Sequence, residues 1–135
     1  MSAWDDRVVE EFRANGGRVQ GFGTGLVLLH TAGARSAQPR VNPVAATTEG
    51  GSWVVCASLR GAPTSPAWYF NLLAHPDVVI ETPQGSVDVH AIDVEDDDEY
   101  RATFERFAAR YPTFREYAAS AAPRRMPLIR LEPRG

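Results

Sequence analysis

Hydrophobic and polar positions follow two different rhythms along this chain. Near the N-terminus Trp4, Val8 and Phe12 fall four apart with acids between them, the spacing of one helical face, and Gly16 and Gly17 follow as a stop. This predicts a short amphipathic helix over 4–15, tied to the rest through the glycine-rich "GGRVQGFGTG", so that 1–25 is helix and linker. From Leu26 the rhythm changes. "LVLLHT" (26–31), "RVNPVAATT" (40–48) and "SWVVCAS" (52–58) are apolar or β-branched runs separated by turn residues, which predicts consecutive strands. "SPAWYFNLLAHP" returns to helical spacing: Ser65 can cap, Pro66 suits the first helical position, Trp68, Tyr69, Leu72 and Leu73 share a face, and Pro76 ends it.

"VVIET" and "SVDVHAIDV" flank "PQGS" and read as a hairpin, its second strand alternating loosely enough to have one wet face. The acidic "DVEDDDE" stands just before "YRATFERFAARY", where acids favour the positive end of a helix dipole, so we read it as a helix start and not as a functional patch. Thr113 and Glu116 have capping-box spacing for a further helix, "TFREYAASA", and "MPLIRLEP" closes as a strand. The order is αβββαββααβ. Too few helices separate the strands for parallel crossovers, so the expected fold is mainly β (α+β): a closed or half-closed barrel of about six mostly antiparallel strands with an N-terminal helix and packing helices.

Composition narrows the function. A chain of 135 residues, 44% hydrophobic and 23% charged, suits one globular domain spanning 1–135. Seventeen acids against 14 basic residues argue against a nucleic-acid binder held by phosphate neutralisation. All 14 basic residues are arginine, which excludes Schiff-base chemistry and a Walker-type lysine. The acidic face of the first helix favours docking on the protein's own barrel over an anionic membrane. With neither an apolar run of spanning length nor a signal-peptide pattern, no integral membrane segment is expected and the cytoplasm is the default location. Cys56 lacks a partner for a disulfide and reads as a small buried apolar side chain.

Several catalytic templates fail. "GFGTG" imitates a dinucleotide loop, but a strand follows where a helix should present its N-terminus. His30, His75 and His90 lie on separate elements without metal-ligand spacing, and no serine sits in a G-x-S-x-G elbow, so no metal site is expected. His75, at a helix end, suits contact with terminal carbonyls. What remains is "HTAGARSAQPRVNP" (30–43). If 33–39 is a tight connection between strands, Arg35 and Arg40 converge on one side with the Ser36 hydroxyl and turn N–H groups between them, as a phosphate cradle would require. Each charge-assisted bond there contributes about 1.5–3 kcal/mol. Most exposed arginines bind nothing in particular, so the pattern alone favours solvated surface arginines.

"TAGARSAQPRVNP" together with "SLRGAPTSPAWYFNLLAHPDVVIE" resembles the deazaflavin (F420)-dependent nitroreductase and quinone reductase family, relatives of the flavin-binding split β-barrels. The likeness runs from about Leu26 to the end, with its two motifs in the expected order and spacing. It implies coenzyme F420, an 8-hydroxy-5-deazaflavin with a phosphate and an oligoglutamate tail, and hydride transfer to a quinone, nitroaromatic or enone acceptor. On the matching positions Ala34, Arg35, Ser36 and Arg40 would surround the phosphate. Val41, Asn42, Pro43, Val44 and Ala45 would form a wall against the ring, Cys56, Ala57, Ser58, Leu59 and Arg60 its edge, and Ala67, Trp68, Tyr69 and Asn71 the closing side. Ser58 and Tyr117 would hydrogen-bond the acceptor and help deliver the proton that accompanies hydride, although aromatic packing explains Tyr117 equally well. For Trp68, Tyr69 and Asn71, core packing with an internal hydrogen bond explains the residues equally well.

Departures from the family pattern fall at Ala34, Leu59 and Ala45, where relatives often carry arginine, lysine and tyrosine. A split-barrel enzyme using FMN, a non-enzymatic binder of a cofactor or fatty acid, and a homodimer are the alternatives the sequence leaves standing.

Overall fold

In the computed structural model, residues 3–134 are described. The elements in chain order are α1 (Ala3–Ala14), β1 (Leu26–Ala32), β2 (Pro39–Glu49), β3 (Ser52–Cys56), a 3-10 turn (Leu59–Gly61), α2 (Ala67–Ala74), β4 (Asp77–Thr82), β5 (Gly85–Asp93), α3 (Asp97–Arg110), α4 (Thr113–Ala121) and β6 (Leu128–Pro133). The strands close into a barrel in the order β1-β2-β3-β6-β5-β4, every neighbouring pair antiparallel. The expected α+β split barrel and the element order are both present.

The apolar run of β1 is continuous because both its faces are covered. Val27 and Leu29 point into the barrel with Val55, Ile80, Val89, Ile129 and Leu131, and Trp68 and Leu72 of α2 plug that core. Leu26 and Leu28 point outward beneath Val8, Val9 and Phe12 of α1. Burying those three α1 side chains, each under 10% exposed, contributes about 1.5–3 kcal/mol apiece. A two-pronged Arg13–Glu81 ion pair with a shortest distance of 2.7 Å fastens the same helix to β4, and the same carboxylate meets His30 Nε2 of β1 at 2.6 Å. A third cluster packs Phe107 and Ala121 of α3 and α4 against Val54, Cys56, Val94 and Leu128.

Helix starts differ from expectation at two places. α2 begins after Pro66, whose extended backbone serves as the cap, and the Ser65 hydroxyl is turned away to accept from Arg124. α4 is preceded by a helical Pro112, so Thr113 is already inside the helix and no capping box forms. The acids before α3 act as expected, and one does more: Asp96 accepts the Glu99 N–H at 2.9 Å.

A cavity in the barrel's open seam

β2 changes partner part-way along its length, so that each stretch is paired on one edge. Its register with β1 runs from Ala45 to Pro39, whereas its pairing with β3 covers only Ala46–Glu49, because β3 leaves the sheet after Cys56. Residues 39–45 therefore present a bare backbone edge. The Ala46 N–H donates to Gly25 O on the β1 side at 2.9 Å, so by the alternation of an antiparallel ladder the backbone groups of Val41, Pro43 and Ala45 face the open side. Pro43 thus stands mid-strand without costing a ladder bond, since its missing N–H belongs to the edge that has no partner.

That seam opens into a cavity of about 1180 Å³. Arg40, Asn42, Pro43, Val44 and Ala45 line one wall, and Cys56, Ser58, Leu59 and Arg60 line the opposite lip. The start of α2 closes an end with Ala67, Trp68 and Asn71, and Tyr117 stands across from them on α4. The structure thus brings together on one cavity most of the positions singled out in the sequence.

Six of those positions are not on its wall. The 33–38 turn closes on itself through Gly33 N–H to Gln38 O and Ala37 N–H to Gly33 O, both 2.9 Å. Within it the Ser36 hydroxyl accepts from the Gln38 N–H at 3.2 Å, and Arg35 is exposed to solvent. A Cβ at Gly33 would fall 2.6 Å from Ser36 Oγ and displace that hydroxyl from the Gln38 N–H, while the Gln38 backbone atoms stay at 3.7 Å. Ala34 uses its N–H on Asn71 Oδ1 at 2.9 Å, and Asn71 Nδ2 donates to Thr31 Oγ1 at 3.1 Å: the buried Asn71 braces the turn against α2 besides touching the cavity. Val41 packs toward α1, and Ala57 is fully buried. Tyr69 turns its hydroxyl to Asp93, donating at 2.6 Å. Burial first, then that carboxylate, push its phenol up to about 12.

The expected convergence of Arg35 with Arg40 is therefore replaced. The cations on the cavity are Arg40, Arg60 and Arg110. Arg110 gave no signal in the sequence because a basic residue in the last turn of a helix already has a reason to be there, the helix dipole. Leu59 and Arg60 adopt left-handed backbone at φ 44° and 55°, uncommon for side-chain-bearing residues and found where a site requires a particular aim.

The far wall is aromatic. Phe107, Tyr111, Phe114 and Tyr117 form a chain of edge and tilted contacts with centroids 4.9–5.2 Å apart along Tyr111–Phe107–Phe114–Tyr117. The single Tyr111 hydroxyl proton is shared between Gly25 O and Ala46 O, at 3.0 and 2.9 Å, pinning the end of α3 to the strand ends, and burial raises the phenol's pKa. Trp4 and Phe22, in edge contact at 6.5 Å, bring α1 and the linker to the mouth. Burial pushes the Cys56 thiol up to about 12, so it is a neutral wall atom and not a nucleophile.

Comparison with known proteins agrees with this architecture. The family model described as F420H(2)-dependent quinone reductase matches residues 4–133. The F420H(2)-dependent quinone reductase of Mycobacterium tuberculosis strain H37Rv is 45% identical over 65 residues, 48% of this chain and 43% of the relative. The chain matches less than half the length of such curated relatives. Among solved structures, an F420-H2 dependent reductase, FDR-A, superposes with a TM-score of 0.71 at 29% identity, covering 80% of this chain and 94% of the other. A chain described as a domain-swapped dimer superposes at 0.75 with 28% identity, covering 96% and 97%.

Proposed function

The chain belongs to the F420H(2)-dependent quinone reductase family, and on that premise we propose that it is an oxidoreductase that uses reduced coenzyme F420 to reduce a quinone-type acceptor. The observation that carries this reading is the combination of a bare β2 edge, apolar walls and a cationic rim on one cavity. That donor set fits a deazaflavin: a flat polar-edged ring suits an unpaired strand edge flanked by Pro43, Val44 and Trp68, and an anionic phosphate and tail suit guanidinium groups. Arg40 and Arg60 would hold the anionic part, with Arg110 on the same cavity. Asn42 to Ala45 would back the ring, and the first-turn N–H groups of α2 behind Pro66 add positive potential.

Bound there, the reduced cofactor supplies a hydride, which is why no strongly basic or nucleophilic side chain is needed from the protein. The chain's own task is to orient and to exclude water. The aromatic wall of Phe114 and Tyr117 offers a flat acceptor a stacking surface opposite the seam. Ser58 and Tyr117, two of the hydroxyl-bearing residues that line the cavity, would hydrogen-bond an acceptor oxygen and pass it a proton. No helix among the described residues is long and apolar enough to cross a membrane.

The test is anaerobic mixing of the protein with reduced F420, followed by menadione. Protein-dependent recovery of the oxidised deazaflavin absorbance is expected, with Arg40→Ala weakening cofactor binding about tenfold or more. Absence of binding, or binding without acceptor-dependent oxidation, overturns the reading.

A further inference from the structure

Segment 57–65, which carries Ser58 and Arg60 to the cavity, has a backbone that its own sequence does not favour. Leu59, Arg60 and Gly61 are consecutive left-handed residues, at φ 44°, 55° and 79°. Such a run persists only where surrounding contacts over-determine it. One side chain supplies most of the side-chain hydrogen bonds to it. Arg124, in the connection between α4 and β6, donates from Nε to Ala62 O at 2.9 Å, from Nη1 to Ala57 O at 3.2 Å and Ser65 Oγ at 3.1 Å, and from Nη2 to Ser58 O at 2.9 Å and Ala62 O at 2.7 Å. A guanidinium has five N–H donors in a rigid fork, and all five are engaged here by the segment.

Arg124 is absent from the cavity lining, and its acceptors are carbonyls and a hydroxyl in place of the carboxylates that engage Arg13 and Arg106. The same turn is pressed onto α4: a Cβ at Gly61 would fall 2.7 Å from Tyr117 O, so the Ser58 lip and the Tyr117 wall keep one spacing.

We propose that Arg124 is a positioning residue: its guanidinium holds 57–65 in the left-handed turn that aims Ser58 and Arg60 into the cavity. What those two side chains touch rests on the proposed function; the holding of the turn does not. Lysine cannot replace it, because three donors from one point do not span acceptors on residues 57, 58, 62 and 65.

Arg124→Lys keeps the charge and most of the length; Arg124→Ala empties the place of the guanidinium, and Ser65→Ala removes a single acceptor. Amide hydrogen exchange is read over the whole chain without cofactor, and binding of reduced F420 is read separately. The expected result for Arg124→Lys is exchange about tenfold faster in 58–64 with barrel-strand amides unchanged and cofactor affinity about tenfold weaker; Arg124→Ala shows the same two changes, and both are recovered by added methylguanidinium but not methylammonium. Ser65→Ala gives a smaller change in the same direction. Unchanged exchange in 58–64, or loosening spread evenly over the barrel, overturns the proposal. If the wild-type protein binds no deazaflavin while exchange in 58–64 still responds to Arg124→Lys and, in Arg124→Ala, to methylguanidinium, the cofactor reading fails and the positioning role stands.

Discussion

The two halves of β2 have the same kind of backbone and opposite uses. From Ala46 to Glu49 the strand is clasped by β3, on which Trp53 to Val55 pair onward with β6, and the facing residues are barrel core. From Pro39 to Ala45 the strand keeps only β1, and its other edge opens on the cavity. An unpaired strand edge is a liability in an isolated protein because it can recruit another chain. Here it is short, interrupted by Pro43 and roofed by α1, α2 and the α3–α4 junction, so the backbone groups left over are available to a ligand and screened from another strand. The barrel thus spends its hydrogen bonds where stability is needed and withholds them along one seam where recognition is needed.

The arginines divide in the same way. Arg106 and Arg130 share Glu49, and Arg124 spends its whole fork on the 57–65 turn. Arg40, Arg60 and Arg110 border the cavity. A guanidinium already saturated by protein acceptors contributes to rigidity, whereas one facing a cavity is available to an anion.

This contrast can be tested at three points of decreasing effect. Ile129→Ala removes a side chain 2% exposed in the closed half of the barrel and should destabilise the fold by about 2–5 kcal/mol, read as a lower denaturant midpoint with an unchanged m-value. Proline substitution separates the halves of β2 directly. Ala46→Pro deletes the bond to Gly25 O and should cost about 1–3 kcal/mol, whereas Pro43→Ala, on the open edge, should shift stability by less than about 1 kcal/mol. Equal losses at the two positions would remove the distinction between the paired and the bare edge.

The smallest effect concerns the roof. Hydrogen bonds from Arg13 and then His30 hold the Glu81 carboxyl below the ordinary glutamate range against an opposing burial effect. A depressed folded pKa means that the stabilisation is complete above the unfolded glutamate value and disappears as pH falls through the lower folded one. Because the Arg13 side chain is half exposed, the contribution is about 0.5–1 kcal/mol. Melting temperature followed from pH 7 into the acid range should therefore fall more steeply for the wild type than for Glu81→Gln.

Much of this arrangement is written locally in the chain. The four-residue spacing of Trp4, Val8 and Phe12 made a helix, and the β-branched runs made strands at nearly their observed limits. The short connections made those strands antiparallel, because each of these outcomes depends on neighbours within a few residues. The seam positions 42–45 and the lip at Ser58 were reached through two motifs and a family likeness. Other features were decided only in three dimensions. Arg35 and Ser36 lie in the right stretch of sequence yet are absent from the cavity's lining, and the Ser36 hydroxyl is engaged by its own turn. Arg110 and Arg124 carry no motif, and each acquires its place by meeting groups far along the chain, with Arg124 reaching carbonyls more than 60 residues upstream. Periodicity reports which face of an element is apolar, but the partner a donor meets depends on barrel closure, and closure is a property of all six strands together.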